Sequence, residues 1–394
     1  MPMNQDWAPE TRAVRAGRDD NGGALAPVLW ASTTYEIAAP SQAALIAKTP
    51  RVSRFYARHG NPTVRAFEDA MAELEGAEAS LAFASGMGAI STVLLSLCPT
   101  GSHIVSQRQI YGGTLQWLGV VAPRMGIEVT LVDGTDPAAW AAAVRPGQTQ
   151  VILAETPANP RLDLVDLDAL GTILGPIKVV DATIATPLGQ QPIAKGIDLV
   201  VHSATKAIGG HNDACLGVVS GEKEVIDWIW GYSVLLGAVP SPFDAMNALR
   251  GIRSLGVRFR AQSATAQALG EALEEHPSVR WVRYPGLPSH PQYDLAKRSL
   301  RHAGGLLCFD LDGGREAVSE FLGHLKVARV ATSLGGPETL VTHPATTTHA
   351  GLDADELAEA GISEGTVRVS VGLEDTQDVV RDLRESIDAA LRPT

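Results

Sequence analysis

Six short apolar runs constrain this chain more than any other feature: HIVSQ, IEVTLVD, QVILAET, IKVVDAT, DLVVHSA and LGVVSG, all between His103 and Gly221. They alternate with stretches of helical pattern. Strands that are apolar on both faces and joined through helices cannot lie on a solvated surface. They predict a largely parallel α/β sheet covered on both sides. Upstream, PTVRAFEDAMAELEGA reads as a helix with Pro62 in its first turn. The uncharged stretch Ala79–Ser102 holds Gly86, Gly88, Pro99 and Gly101, and is expected to be a buried helix entered through a glycine turn rather than a membrane span. After about residue 240 comes a long helical stretch, followed by GGLLCFDLD, AVSEFLGHL and TVRVSVGLED, which suit a smaller α+β unit. The expected division is an N-terminal arm over 1–60, an α/β domain over 61–250 and an α+β domain over 251–394.

The 394 residues exceed what one simple core accommodates, and the net charge of −12 disfavours nucleic acid or an anionic membrane surface as partner. Three scattered cysteines, Cys98, Cys215 and Cys308, form no CxxC pair and suit a reducing compartment. The first twenty residues mix both charges without an apolar segment, so no secretory leader is expected and a cytoplasmic location is.

Chemistry concentrates at the end of DLVVHSATK. A lysine at the mouth of a sheet loses hydration, which disfavours its charged form and makes Lys206 a better nucleophile. Ligands of open α/β sheets lie beyond the carboxyl ends of the strands, and IKVVD brings Asp181 to the same edge. An amine able to form a Schiff base, with a carboxylate able to hold a ring nitrogen protonated, is the pair that pyridoxal phosphate (PLP) requires. ASGMGAISTVLLSL supplies an anion cradle: the amides of Gly86 and Met87 at a helix start, with the hydroxyls of Ser203 and Thr205 as further donors.

The combination VVDATIATP and DLVVHSATKAIGGHND resembles the Cys/Met-metabolism group of PLP enzymes, which includes methionine γ-lyase, cystathionine γ-lyase, cystathionine γ-synthase and the homoserine sulfhydrylases. FYARHGNPTVRAFE, SGMGAIS, IYGGT, ETPANP and TSLGGPETLVTHPA extend the likeness over nearly the whole chain. The resemblance implies a PLP-dependent transferase fold of type I (aspartate aminotransferase-like), with a mostly parallel seven-stranded sheet and a smaller α+β C-terminal domain. It implies that Lys206 holds the cofactor and moves protons, that Asp181 pairs with the pyridine nitrogen, and that Gly86, Met87, Ser203 and Thr205 bind the phosphate. Tyr111 would stack on the ring and serve in acid–base steps, and Asn159 would contact the ring's phenolic oxygen. Arg368 would grip the substrate carboxylate with Ser333 nearby, as a planar fork suits a planar anion. Tyr56 and Arg58 would reach into a neighbouring subunit's site, implying a homodimer and, by family habit, a dimer of dimers. His202, His211, His343 and His349 match no zinc spacing, so no metal is expected.

The implied reaction is γ-elimination from a small sulfur amino acid, with methionine the favoured substrate. Cystathionine γ-lyase, cystathionine γ-synthase and O-acylhomoserine sulfhydrylase are the alternatives, and a non-catalytic PLP-fold binding protein would lack the lysine or carboxylate anchors found here. Methionine γ-lyases often carry cysteine where this chain has Gly113, which counts against methionine. Leu115–Trp117 and Thr332 stand where cystathionine enzymes often carry polar or charged groups, which favours a smaller, less polar substrate. Ala182 is a further departure of unassigned effect.

Overall fold

The computed structural model describes residues 7–18, 21–37, 39–351 and 353–391. Seven strands form the first sheet: β1 (Ala79–Phe83), β2 (His103–Gln107), β3 (Glu128–Val132), β4 (Thr149–Glu155), β5 (Ile177–Asp181), β6 (Leu199–Ser203) and β7 (Gly217–Gly221). Their order is β1-β7-β6-β5-β4-β2-β3. Strands β3, β2, β4, β5 and β6 are parallel, and β7 runs antiparallel to both β6 and β1. All six apolar runs are strands. The uncharged stretch from Ala79 differs from expectation: it opens as β1, and the helix begins only at Gly86. Helical and buried-strand character cannot be separated in an apolar run that carries no polar alternation.

Local chemistry sets the helix ends. Asn61 caps the Pro62–Glu75 helix by accepting from the amides of Thr63 and Val64, and Gly76 closes it at φ 69°. Ser85 caps the Gly86–Leu97 helix by accepting from Gly88 N at 3.0 Å. That helix packs Ala89, Ile90, Val93 and Leu94 onto Ile104, Leu153, Val179 and Val201 of the sheet. Each such large side chain stabilises the fold by roughly 1.5–3 kcal/mol when removed from water.

The second sheet holds β8 (Val279–Arg283), β9 (Leu306–Leu311), β10 (Arg329–Val330), β11 (Leu340–Thr342) and β12 (Thr366–Ser370), in the order β10-β11-β12-β9-β8. Val367 and Val369 enter its core with Phe309 and Phe321. By strand alternation Arg368 faces the opposite way, toward the first sheet.

One helix of 33 residues, Pro242–Glu274, joins the two units. At 1.5 Å per residue it is about 50 Å long. Its first half packs Leu249, Ile252, Leu255 and Phe259 into a core of the α/β unit, and its last turns pack Ala266, Leu269 and Leu273 under the second sheet. The boundary expected between residues 250 and 251 falls inside it. The short Pro9–Arg15 helix lies against this strut, with Glu10 paired to Arg260 and Arg301 at 3.2 Å each. Among the described residues, no helix is long and apolar enough to cross a membrane.

Candidate active site

The carboxyl ends of β2, β4, β5 and β6 open into a cavity of about 1850 Å³, closed on its far side by residues of the second unit. Between β4 and β2 the strand order reverses, the place where open α/β sheets bind ligands. Gly86, Met87, Tyr111, Asn159, Asp181, Ser203, Thr205, Lys206, Ser333 and Arg368 all line it, drawn from positions scattered over nearly 300 residues of chain.

Lys206 stands in the turn after β6. Its Nζ donates to Ser333 Oγ at 2.8 Å. Burial, with the charge of Arg368 adding, holds its pKa below the ordinary lysine value. Ser333 adopts a left-handed backbone at φ 78°, which for a residue with a side chain is a strained conformation held by its surroundings. Its carbonyl accepts from Arg368 Nη2 at 2.8 Å, and Arg368 Nη1 donates to Asn159 Oδ1 at 3.0 Å. An unbroken chain of hydrogen bonds thus runs Lys206–Ser333–Arg368–Asn159.

Arg368 is only 2% exposed, and among the described residues no carboxylate lies within ion-pair distance of it. Its Nε is buried without a hydrogen-bond partner, and burial lowers its pKa to about 10. A desolvated guanidinium lacking an acid is costly unless an anion arrives to meet it.

Asp181 ends β5 and accepts from Thr183 N at 2.9 Å and Thr183 Oγ1 at 2.5 Å. Thr183 Oγ1 in turn accepts from Ser203 N at 2.8 Å, tying the ends of β5 and β6 together. Burial raises the pKa of Asp181, so its charged form calls for a cation. Glu155, at the end of β4, is a functional candidate that the sequence reading missed. Its two oxygens accept from the amides of Tyr111 and Asn159, each at 2.7 Å, so one buried carboxylate fixes both loops. Burial and the neighbouring Asp181 raise its pKa. The signal that marked Asp181, an acid terminating a buried apolar run, marks Glu155 equally.

At the anion cradle, a Cβ on Gly86 would lie 2.7 Å from Ser203 Cβ, so only glycine lets the helix start sit against the end of β6. The first-turn amides there have no intrahelical acceptors by helix geometry. Thr205 behaves differently from Ser203: its hydroxyl accepts from Leu216 N at 2.9 Å and donates to Leu216 O at 3.3 Å. Tyr111 is 40% exposed, and its ring occupies the space that a side chain at Gly113 would take, with Cε1 2.6 Å from the ideal Cβ position. Leu115, Gln116 and Thr332 line the cavity, whereas Trp117 turns into the core. Ala182 is fully buried in the core on the opposite side of the sheet from the Gly86–Leu97 helix.

Two expected residues stay apart. Tyr56 and Arg58 do not line the cavity of their own chain. Tyr56 is 45% exposed, with the Arg58 guanidinium over its ring at 5.6 Å and Arg58 Nη1 donating to Val234 O at 3.0 Å. Among the described residues no His, Cys, Asp or Glu cluster could hold a metal.

Comparison with known proteins places this cavity in context. The family described as Cys/Met metabolism PLP-dependent enzyme matches residues 10–388. The chain belongs to this family. It is 39% identical to an O-succinylhomoserine sulfhydrylase of Pseudomonas aeruginosa over 98% of this chain and 100% of that protein. It is 41% identical to an L-methionine gamma-lyase of Pseudomonas deceptionensis over 96% and 97% of the two chains. A crystal structure of cystathionine gamma synthase from Xanthomonas oryzae pv. oryzae, in complex with cystathionine, superposes with a TM-score of 0.91 at 36% identity, covering 98% of this chain and 99% of that one. The protein is a PLP-dependent enzyme of the trans-sulfuration family. The cavity is chemically suited to that cofactor: a desolvated amine, a buried carboxylate in need of a cation and a glycine-opened helix start share one wall.

Proposed function

We propose that the enzyme eliminates the γ-substituent of a small sulfur amino acid, converting L-methionine and water to methanethiol, 2-oxobutanoate and ammonia. The observation that carries this reading is the acid-free, buried Arg368, linked through Ser333 to Lys206. It provides a carboxylate grip at a fixed place relative to the reacting amine. Leu115, Leu118 and Val120, in the segment after Tyr111, give the cavity apolar surface that accommodates a thioether.

Lys206 would hold the cofactor, Asp181 would meet its ring nitrogen, and Gly86, Met87 and Ser203 would meet its phosphate, Thr205 joining them by turning its hydroxyl proton away from Leu216 O. Bound PLP acidifies the substrate Cα–H by drawing the electron pair into its ring. Arg368 orients the substrate carboxylate, and its bonds to Asn159 and Ser333 keep the fork from swinging. Lys206 Nζ, neutral more readily than an ordinary lysine, takes the Cα proton; a Cβ proton is then lost, and its electron pair expels the γ-sulfur. Tyr111 Oη, held at its loop by Glu155, gives a proton to the leaving sulfur. Tyr56 and Arg58, outside their own cavity, would complete the site of a second copy.

A second reading, γ-replacement on an O-acylhomoserine or turnover of cystathionine, is favoured by Arg108. This exposed arginine lines the cavity and has no carboxylate within ion-pair distance among the described residues, which suits an anionic distal group. Assaying 2-oxobutanoate from methionine, cystathionine and O-succinylhomoserine, with and without sulfide, separates the readings. The lyase reading expects release from methionine without sulfide. Lys206→Ala is expected to abolish turnover and the cofactor's lysine-bound absorbance, and retained turnover would sink the assignment.

A further inference from the structure

We propose that Arg258, on the long Pro242–Glu274 helix, is the positioning residue for Lys206: its guanidinium clamps the Lys206–Gly210 turn and so determines where the amine stands in the cavity. The inference rests on Lys206 being the cofactor's anchor.

Arg258 is 4% exposed, and among the described residues no acid lies within ion-pair distance of it. Its donors go to uncharged acceptors. Nη1 bonds Ala207 O at 2.9 Å, Nη2 bonds Gly251 O at 2.8 Å and reaches Ile208 O at 3.5 Å, and Nε bonds Ser254 Oγ at 3.0 Å. A neutral side chain could fill this volume, but a guanidinium presents donors in a rigid planar fork that serves several acceptors at once. Two of these acceptors belong to the residues immediately following Lys206.

The turn is gripped on its other sides by close backbone approach. A Cβ on Gly251 would sit 2.1 Å from Gly209 O, so the helix presses directly on the turn. Gly210, at φ 68°, lies against the guanidinium, 1.9 Å from Nη1 to its ideal Cβ position. Gly335, in the loop that carries Ser333, would bring a Cβ to 2.5 Å from Ala207 N. The residue beside Lys206 is thus bonded by Arg258 at its carbonyl and closely packed by the Ser333 loop on its amide side. Within the turn, Gly210 N donates to Lys206 O at 2.8 Å. The lowered basicity of Lys206 arises from burial and from Arg368, which leaves geometry as the route by which Arg258 acts.

The test uses full-length Arg258→Lys and Ser254→Ala. Lysine keeps the charge but loses the fork, whereas alanine removes the Nε acceptor together with the long Ser254 Oγ bond to Gly251 O at 3.3 Å. For Arg258→Lys we expect cofactor affinity and kcat each to fall about tenfold or more with KM little changed, the response to a displaced reacting group. In the cofactor-free chain, labelling of Lys206 by an amine-acylating reagent, read by peptide mass mapping, is expected to change in rate by about threefold or more while its pH midpoint stays put. Ser254→Ala is expected to change the rate in the same direction to a smaller degree. Folded variants with wild-type cofactor affinity and Lys206 labelling would overturn the proposal, and so would a shifted midpoint, which would make the role one of charge. If Arg258→Lys does not fold, Ser254→Ala decides alone, an unchanged labelling rate counting against the clamp. Labelling reads the turn whatever Lys206 does, whereas wild-type cofactor affinity in Lys206→Ala would refute the anchor role itself.

Discussion

Replacing Arg368 by lysine tests the centre of the proposed chemistry without removing its charge. The guanidinium now donates to Asn159 Oδ1 at 3.0 Å and to Ser333 O at 2.8 Å. A lysine ammonium in the same 2%-exposed position approaches from a single point and can keep one of these bonds. A hydrogen bond from a charged donor is worth roughly 1.5–3 kcal/mol, so losing one costs about 2 kcal/mol. Losing one arm of the bidentate grip on the substrate carboxylate costs about 2 kcal/mol more. At about 1.4 kcal/mol per tenfold, the sum is a fall of about a thousandfold in kcat/KM. The carboxylate half is expected in KM. The other half is expected in kcat, because a freed Ser333 no longer holds the amine of Lys206. The assay is steady-state release of 2-oxobutanoate from methionine, on protein whose near-ultraviolet circular dichroism matches the parent. A kcat/KM within tenfold of the parent would refute the reasoning, as would a loss confined to kcat, since the arginine would then not hold the carboxylate.

Asp181→Asn keeps an acceptor for Thr183 but removes the charge, so the fold should survive while cofactor affinity and kcat each drop by about a hundredfold; fluorescence titration with PLP and turnover measure both. His290 and His349 are held at about pKa 4 by burial, below the ordinary value near 6.5. The unfolded chain therefore takes up protons that the folded chain refuses, and stability is full above about pH 6.5 and declines toward pH 4, by up to about 3 kcal/mol per histidine. Thermal midpoints of His290→Gln/His349→Gln should show a shallower acid decline than the parent, and an equal decline would assign it to other groups. Cys98 and Cys308 are buried with thiols pushed up to about 12, while Cys215 is exposed and lines the cavity, so thiol titration of the native protein should return one fast cysteine, slowed by bound substrate.

How legible each part was in the sequence follows from how local its cause is. Strands β2 to β7 announce themselves because each is an apolar run flanked by turn residues. β1 did not, since Ala79–Phe83 merges into the apolar helix after it with only Ala84 and Ser85 between. β8 was also missed: VRWVR mixes arginines with apolar residues without strict alternation on a half-exposed strand and resembles a surface segment. The lysine, Asp181 and the glycine turn were readable because strand ends and helix starts are written in nearby residues. The bond from Lys206 to Ser333 and the one from Asn159 to Arg368 span 127 and 209 positions and depend on how the two units dock, for which no local pattern exists. Glu155 lay in plain view within ETPANP, but its two amide partners become visible only when the loops after β2 and β4 meet.

The 33-residue helix has a consequence for how such an enzyme can change its substrate. Because one rigid rod carries both cores, the spacing between the amine of Lys206 and the guanidinium of Arg368 is set by packing deep inside the molecule. Gln116, Arg108 and Thr332 line the cavity and contribute nothing to that rod. Substitutions there can therefore reshape what the cavity accepts while that frame stays constant. The architecture separates the side chains that are free to diverge from the frame that must stay still.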